Sequence, residues 1–317
     1  MPEYDNAVMT PTFDPAAGVV SVVGLTKRFG AVTAVDDLSF TVAPGQVTGF
    51  LGPNGAGKTT TLRMILGLAA PDAGSVTIGG IRYADRPRPA HHVGAALETA
   101  SFHPGRSARD HLRVYAPEIG VADSRCDEVL ALVGLTEAAQ RRVGGFSLGM
   151  RQRLALATTL LGDPQVLLLD EPANGLDPEG IVWLRQFLRY LADQGRTVLV
   201  SSHVLSEVQQ TVDDVVIIAK GRLIRESSLA DLEAHARPAV RLVSPDVDGL
   251  ARLIATSGWS EVTRFESPGV AVIENHHPAQ IGAAAFAQGL EVHELSSAGT
   301  SLESLFLELT SSVEVAP

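Results

Sequence analysis

Eight consecutive residues, Gly52-Pro53-Asn54-Gly55-Ala56-Gly57-Lys58-Thr59, follow the pattern G-x-x-x-x-G-K-[ST], and Thr60 comes next. Glycines at this density let successive backbone N–H groups turn inward around phosphate oxygens, and the helix that follows presents its positive N-terminal end. In such a cradle Lys58 bridges β- and γ-phosphates, and the Thr59 hydroxyl holds Mg²⁺. The loop alone leaves kinases, GTPases, motors and transport ATPases all open.

A second segment narrows that set. Val166-Leu167-Leu168-Leu169-Asp170-Glu171-Pro172 is four aliphatics ending in two carboxylates, which puts Asp170 and Glu171 at the carboxyl end of a central strand. Ligands of open α/β sheets bind at that edge. Asp170 fits a magnesium-orienting role, and Glu171 fits the base that polarises an attacking water.

The elements that must hold these residues are legible in outline. Val19 to Leu25, Leu38 to Val42 and Val47 to Leu51 read as strands, and Lys58 to Leu68 as the helix behind the glycine-rich loop. Gly79-Gly80 predicts a hairpin between Val76 to Ile78 and Ile81 to Tyr83. Strand signal is lost between about Thr99 and Asp163, where helical spacing takes over. Val166 to Leu169, Pro178 to Gln194 and Thr197 to Val200 then alternate strand and helix, which predicts a mainly parallel sheet covered by helices. Val215 to Ala219 and Leu223 to Arg225 flank a Lys220-Gly221 turn. Beyond Ala236 the texture changes to a small α+β unit ending in a helix at Leu302 to Leu309.

The 317 residues suggest two domains, and 45% apolar with 19% charged residues describes an ordinary soluble protein. A net charge of −11 gives no electrostatic footprint for nucleic acid, so none is expected as a partner. The single cysteine, Cys126, suits a reducing compartment. No apolar run reaches the roughly 18–20 residues of a membrane span. Met1 to Gly18 reads as a flexible tail, with neither a basic region nor an apolar core of a signal peptide. Only Lys27, Lys58 and Lys220 among the 25 basic residues are lysines.

Phe146-Ser147-Leu148-Gly149-Met150 opens a long helical run, with Ser147 as a natural N-cap. This segment, with Arg151-Gln152-Arg153-Leu154-Ala155-Leu156-Ala157 behind it, resembles the signature motif of ATP-binding cassette (ABC) proteins. Family members usually read Leu-Ser-Gly-Gly-Gln there, and this chain keeps Ser147 and Gly149. Gly175-Leu176-Asp177-Pro178 is similar to the family's loop that couples two cassettes. His203 occupies the place of its switch histidine, and Phe29 that of an aromatic stacked on adenine. The lining loop, usually carrying glutamine, reads Val93-Gly94-Ala95-Ala96-Leu97-Glu98. Glu98 would ligate Mg²⁺ but add negative charge beside a triphosphate.

The resemblance covers roughly Val19 to Ala236 and implies an α/β P-loop NTPase cassette with three parts: a mixed, mainly parallel sheet, an N-terminal antiparallel β subdomain, and a helical subdomain at about 99–163. Residues 237–317 form the accessory domain, which resembles the tail of subunits in drug-, antibiotic- and lipid-exporting systems. It further implies ATP and Mg²⁺ as cofactors, Glu171, His203 and Lys58 as catalytic residues, and Ser147, Gly149 and Asp177 acting on ATP bound by a second copy. The expected partners are that copy and an integral-membrane permease, with the chain peripheral on the cytoplasmic face of the membrane. Ser101 to His111 is the expected permease contact. The chain lacks the Asn-Lys-x-Asp guanine reader of a GTPase. A nucleotide-dependent regulator or sensor is the alternative.

Overall fold

A computed structural model describes residues 13–97, 102–235, 239–298 and 302–311. The chain divides into two compact units, residues 1–229 with 313–317, and residues 230–312.

The first unit opens with α1 (Pro15–Gly18) and the long strands β1 (Val20–Phe29) and β2 (Val32–Val42), then β3 (Val47–Leu51), α2 (Lys58–Ile65), β4 (Ala73–Ile78) and β5 (Val93–Ala96). A helical stretch follows: α3 (Ala108–Ile119), α4 (Ser124–Leu132) and α5 (Leu148–Thr159). The chain returns to alternation with β6 (Val166–Asp170), α6 (Pro178–Asp193), β7 (Thr197–Ser202), α7 (Leu205–Val208), β8 (Asp214–Ala219) and β9 (Arg222–Ser228), and α8 (Leu229–His235) begins the second unit.

Two sheets result. The larger has the order β5-β6-β7-β3-β8-β9, parallel from β5 to β8 and antiparallel at β9. Every residue of β3, β6 and β7 is buried, which is why these strands read as continuous apolar runs rather than alternating ones. The smaller sheet, β2-β1-β4, is antiparallel. One core joins the sheets, including Val20, Leu38, Phe40, Phe50, Leu62, Leu168 and Leu199. Phe40 and Phe50 stack with ring centroids 5.2 Å apart. Parallel strands put the ends of β3, β6 and β7 side by side at one edge, and the site is built there.

Three local expectations are corrected. Ile81 to Tyr83 is not a strand: Gly79 and Gly80 do turn the chain, but only an Ile78–Ile81 bridge forms before a 3₁₀ turn at Tyr83–Asp85. The outer edge of Ile78 is instead capped by the Arg86 guanidinium, which donates to its carbonyl, and Pro87 and Pro89 follow without N–H groups for a ladder. The helix after Lys58 ends at Ile65 rather than Leu68. Residues 13–18 are held rather than loose: Gln165 donates to the Asp14 carbonyl at 2.6 Å, Thr197 Oγ1 to the Gly18 carbonyl at 2.7 Å, and Arg196 lies over the Phe13 ring.

The second unit runs β10 (Ala239–Val243), α9 (Val247–Thr256), β11 (Thr263–Ser267), β12 (Val270–Glu274), α10 (Pro278–Ala287), β13 (Glu294–Ser297) and α11 (Leu302–Ser311). Its antiparallel sheet has the order β11-β12-β10-β13, the split βαβ arrangement. Val240, Leu242, Ala271 and Ile273 from the sheet meet Leu250, Leu253 and Ile254 of α9 and Ile281 of α10 in its own core.

Candidate nucleotide site

β3 delivers the chain into the glycine-rich loop, whose shape depends on missing side chains. A Cβ on Gly52 would lie 2.5 Å from the Ile218 carbonyl oxygen, and one on Gly57 2.5 Å from that of Ala34. Gly57 also has φ +105°, in the region that favours glycine, and it caps the start of α2. Residues 54–60 line a cavity of about 370 Å³ together with Ala34, Glu171, Asn174 and His203. Gly52 and Pro53 sit behind it and supply carbonyls: Lys58 Nζ donates to Gly52 O at 2.6 Å and to Pro53 O at 3.4 Å. Lys58 is only 6% exposed, so its ammonium needs these acceptors and the Glu171 carboxylate, whose Oε1 is 3.3 Å away.

β6 delivers the two carboxylates to opposite tasks. Asp170 is buried, and its Oδ2 accepts from Thr59 Oγ1 at 2.6 Å while Oδ1 accepts from Ser201 Oγ. Ser201 is the in-register neighbour of Asp170 on β7. Its hydroxyl also accepts from the Glu171 backbone N–H at 2.9 Å, so one side chain fixes both acidic residues. Glu171 has φ +49°, an uncommon region for a residue with a Cβ, and this turn aims its side chain into the cavity. There Oε2 accepts from His203 Nδ1 at 2.9 Å, and Asn174 N donates to the Glu171 carbonyl at 3.1 Å.

Ser147, Gly149 and Asp177 lie elsewhere on the unit. Ser147 caps α5, its hydroxyl accepting from Met150 N at 3.3 Å, and Asp177 caps α6, accepting from Gly180 N at 2.8 Å. These three residues line a second cavity of about 360 Å³ that shares no lining residue with the first. Arg153 also faces it, with its guanidinium 4.1 Å from the centre of the Trp183 ring. Phe29 stands at the tip of the β1–β2 hairpin, 55% exposed and on neither cavity wall. Glu98 lies outside the described residues.

The structure thus gathers Lys58, Thr59, Glu171 and His203 around one cavity, with Asp170 bonded to Thr59 behind its wall, and Ser147, Gly149, Asp177 and Phe29 are not on that wall. Ser201, Asn174 and Ala34 belong to the site and were not singled out by sequence. The one available signal was the polar pair Ser201-Ser202 ending the apolar run of β7. A phosphate-rich ligand fits the cradle of backbone N–H groups. The Thr59 hydroxyl and Asp170 carboxylate, already in contact, make a hard-oxygen pair suited to Mg²⁺.

Comparison with known proteins identifies the family. The family "ABC transporter" matches residues 35–174, and a domain of unknown function (DUF8746) matches residues 238–303. The chain is 35% identical to the bacitracin transport ATP-binding protein BcrA of Bacillus licheniformis, over 92% of this chain and 97% of that protein. It is 38% identical to the Nod factor export ATP-binding protein I of Paraburkholderia xenovorans, over 75% of this chain and 82% of that protein. A solved ATP-binding subunit of an ABC transporter superposes with a TM-score of 0.62 at 28% identity, covering 68% of this chain and 92% of that one. With the phosphate cradle, the paired carboxylates and full-length relatives in agreement, the chain belongs to the ATP-binding subunits of ABC transporters.

Proposed function

We propose that this chain hydrolyses ATP at the cavity between the glycine-rich loop and the end of β6, and that hydrolysis drives export through a separate membrane permease. The observation that supports this most is the placement of Lys58, Thr59, Glu171 and His203 around one cavity from three adjacent strand ends, with the Asp170 carboxylate bonded to Thr59.

In this reading the backbone N–H groups of residues 54–59 receive the phosphates, and Lys58 exchanges its contacts with Gly52 O and Glu171 for phosphate oxygens. That exchange leaves Glu171 free to accept a proton from the attacking water, its orientation set by the Ser201 bond to its backbone. His203, beside Glu171, donates toward the γ-phosphate. Thr59 and Asp170 would hold Mg²⁺, which supplies charge neutralisation at the β- and γ-oxygens when bound. Phe29 would stack on the adenine.

Ser147, Gly149 and Asp177 line a cavity away from these groups, and their two helix N-termini suit an anion presented from outside the chain. We therefore read the working unit as a dimer that closes on two ATP molecules and reopens after hydrolysis. Among the described residues no helix is long and apolar enough to cross a membrane, so translocation falls to a permease, with this chain docked at the cytoplasmic face. The helical subdomain is the proposed contact, above all Ser101 to His111, of which Ser101 lies outside the described residues. Export rather than import rests on relatives named for Nod factor export and for bacitracin and lantibiotic transport. The unit at residues 230–312 is read as accessory to the cassette.

The test is ATPase activity of the chain with its permease, wild type against Glu171→Gln. A loss of about 10²–10⁴-fold in the variant supports the reading. Wild type no more active than the variant refutes it.

A further inference from the structure

Lys27 is one of only three lysines, and no motif accounts for it. Its side chain is 15% exposed, and its ammonium is fully engaged near the hairpin tip. Nζ donates to the Ala70 carbonyl at 2.6 Å and to Asp72 Oδ1 at 3.1 Å, and it lies 5.5 Å from the centre of the Phe29 ring. Lys27 and Phe29 are two apart on β1, so both side chains lean to one face of the strand. The other Asp72 oxygen, Oδ2, accepts from the backbone N–H of Arg28 at 2.6 Å, and Asp72 N donates to Thr26 O at 2.8 Å. One carboxylate thereby grips the ammonium against the ring and the backbone one residue before it. These bonds from Arg28 and Lys27 hold the Asp72 carboxyl below the usual carboxylate range.

A ring at a hairpin tip, half in solvent, would otherwise sample several rotamers, and ordering it would be charged against ligand binding. We infer that Lys27 and Asp72 are positioning residues that hold Phe29 in one orientation, with the ammonium on one side of the ring and the other face presented to the adenine base of ATP. This rests on the reading of Phe29 as the base-stacking residue. The compact ammonium suits the place, since it must reach a carbonyl, a carboxylate and a ring at once. The loop that holds the phosphates takes no part in the arrangement, so Lys27 governs recognition of the base and not of the triphosphate.

The experiment uses the full chain and two probes, ATP and inorganic tripolyphosphate, which has the phosphates without a base. Lys27→Met is expected to raise the KM for ATP roughly three- to tenfold, with kcat and inhibition by tripolyphosphate unchanged. Phe29→Ala is expected to do the same or more, and the double variant to be no worse than Phe29→Ala alone. Lys27→Arg should recover part of the loss. Asp72→Asn, a milder change, should give a smaller shift of the same kind and serves if Lys27→Met folds poorly. Weakening of tripolyphosphate inhibition in parallel with ATP, or multiplicative effects in the double variant, would overturn the inference. If Phe29→Ala raises the KM and neither Lys27→Met nor Asp72→Asn does, the inference alone fails. If Phe29→Ala changes nothing, the adenine reading fails and the inference goes with it.

Discussion

The cavity at the glycine-rich loop and the one beside Ser147 and Asp177 are nearly equal in size, about 370 and 360 Å³, but they are built on opposite principles. At the glycine-rich loop every chemically active side chain is held by others: Lys58 by two carbonyls and Glu171, Asp170 by two hydroxyls, Glu171 by Lys58 and His203. The second cavity is bounded by two helix starts, each with a single side-chain cap, and its walls include Arg153 and Glu179. The first holds the groups for chemistry in reserve against one another. The second presents helix N-termini and no water-activating pair, as expected of a surface that completes someone else's site. In the proposed dimer, each chain supplies two unlike halves of a reaction centre.

Breaking the first half should cost the most. Lys58→Arg keeps the charge but replaces a compact ammonium with a planar fork in a space shaped by Gly52 O, Pro53 O and Glu171. We expect turnover to fall on the order of 10²-fold, measured as phosphate release at saturating ATP. Ser201→Ala removes the one hydroxyl shared by Asp170 and the Glu171 backbone. Turnover should drop about five- to tenfold, corresponding to ~1–1.5 kcal/mol, and the melting temperature should fall by a few degrees, since Asp170 and the Glu171 N–H each lose a buried partner. An unchanged turnover there would remove Ser201 from the account.

The smallest expected effect lies outside both cavities, at His111 on α3. It is buried, its Nδ1 has no hydrogen-bond partner among the described residues, and the rings of Phe102 and Tyr115 flank it. Burial first, and then the charge of Arg106, push its pKa below 6.5. The folded state therefore binds fewer protons than the unfolded one, and stability is lost as pH falls through the ordinary histidine range. Thermal melts at pH 7.5 and 5.5 should differ less in His111→Phe than in wild type, by about 1 kcal/mol or less. An equal pH dependence in the two proteins would show that His111 does not titrate on unfolding.

The same contrast explains what the sequence disclosed. The loop, the β6 carboxylates and the Ser147 cap are local patterns, in which neighbours in sequence do the work, and all were legible. Ser201 was not, because its role exists only through β6–β7 register across 31 residues. The missing Ile81 to Tyr83 strand has a more local cause. The Gly-Gly turn forms, but Arg86, eight residues past Ile78, donates to the Ile78 carbonyl, and Pro87 and Pro89 follow. The held segment at residues 13–18, by contrast, depends on Gln165 and Thr197, far along the chain. Phe29 was placed by resemblance, and nothing in its own stretch of sequence announced the Lys27–Asp72 clamp.

Whether the two halves meet across copies is tested most directly by mixing two inactive proteins. Glu171→Gln disables the first half of a chain, and Ser147→Arg disables the second. A mixed dimer of the two still contains one intact pairing, the Glu171 of one copy with the Ser147 of the other. Each variant alone should be nearly inactive, and an equal mixture should recover roughly a quarter of wild-type ATPase turnover, from random pairing with one good site in each mixed dimer. No recovery above the separate proteins, with mixed dimers shown to form, would contradict a site shared between copies.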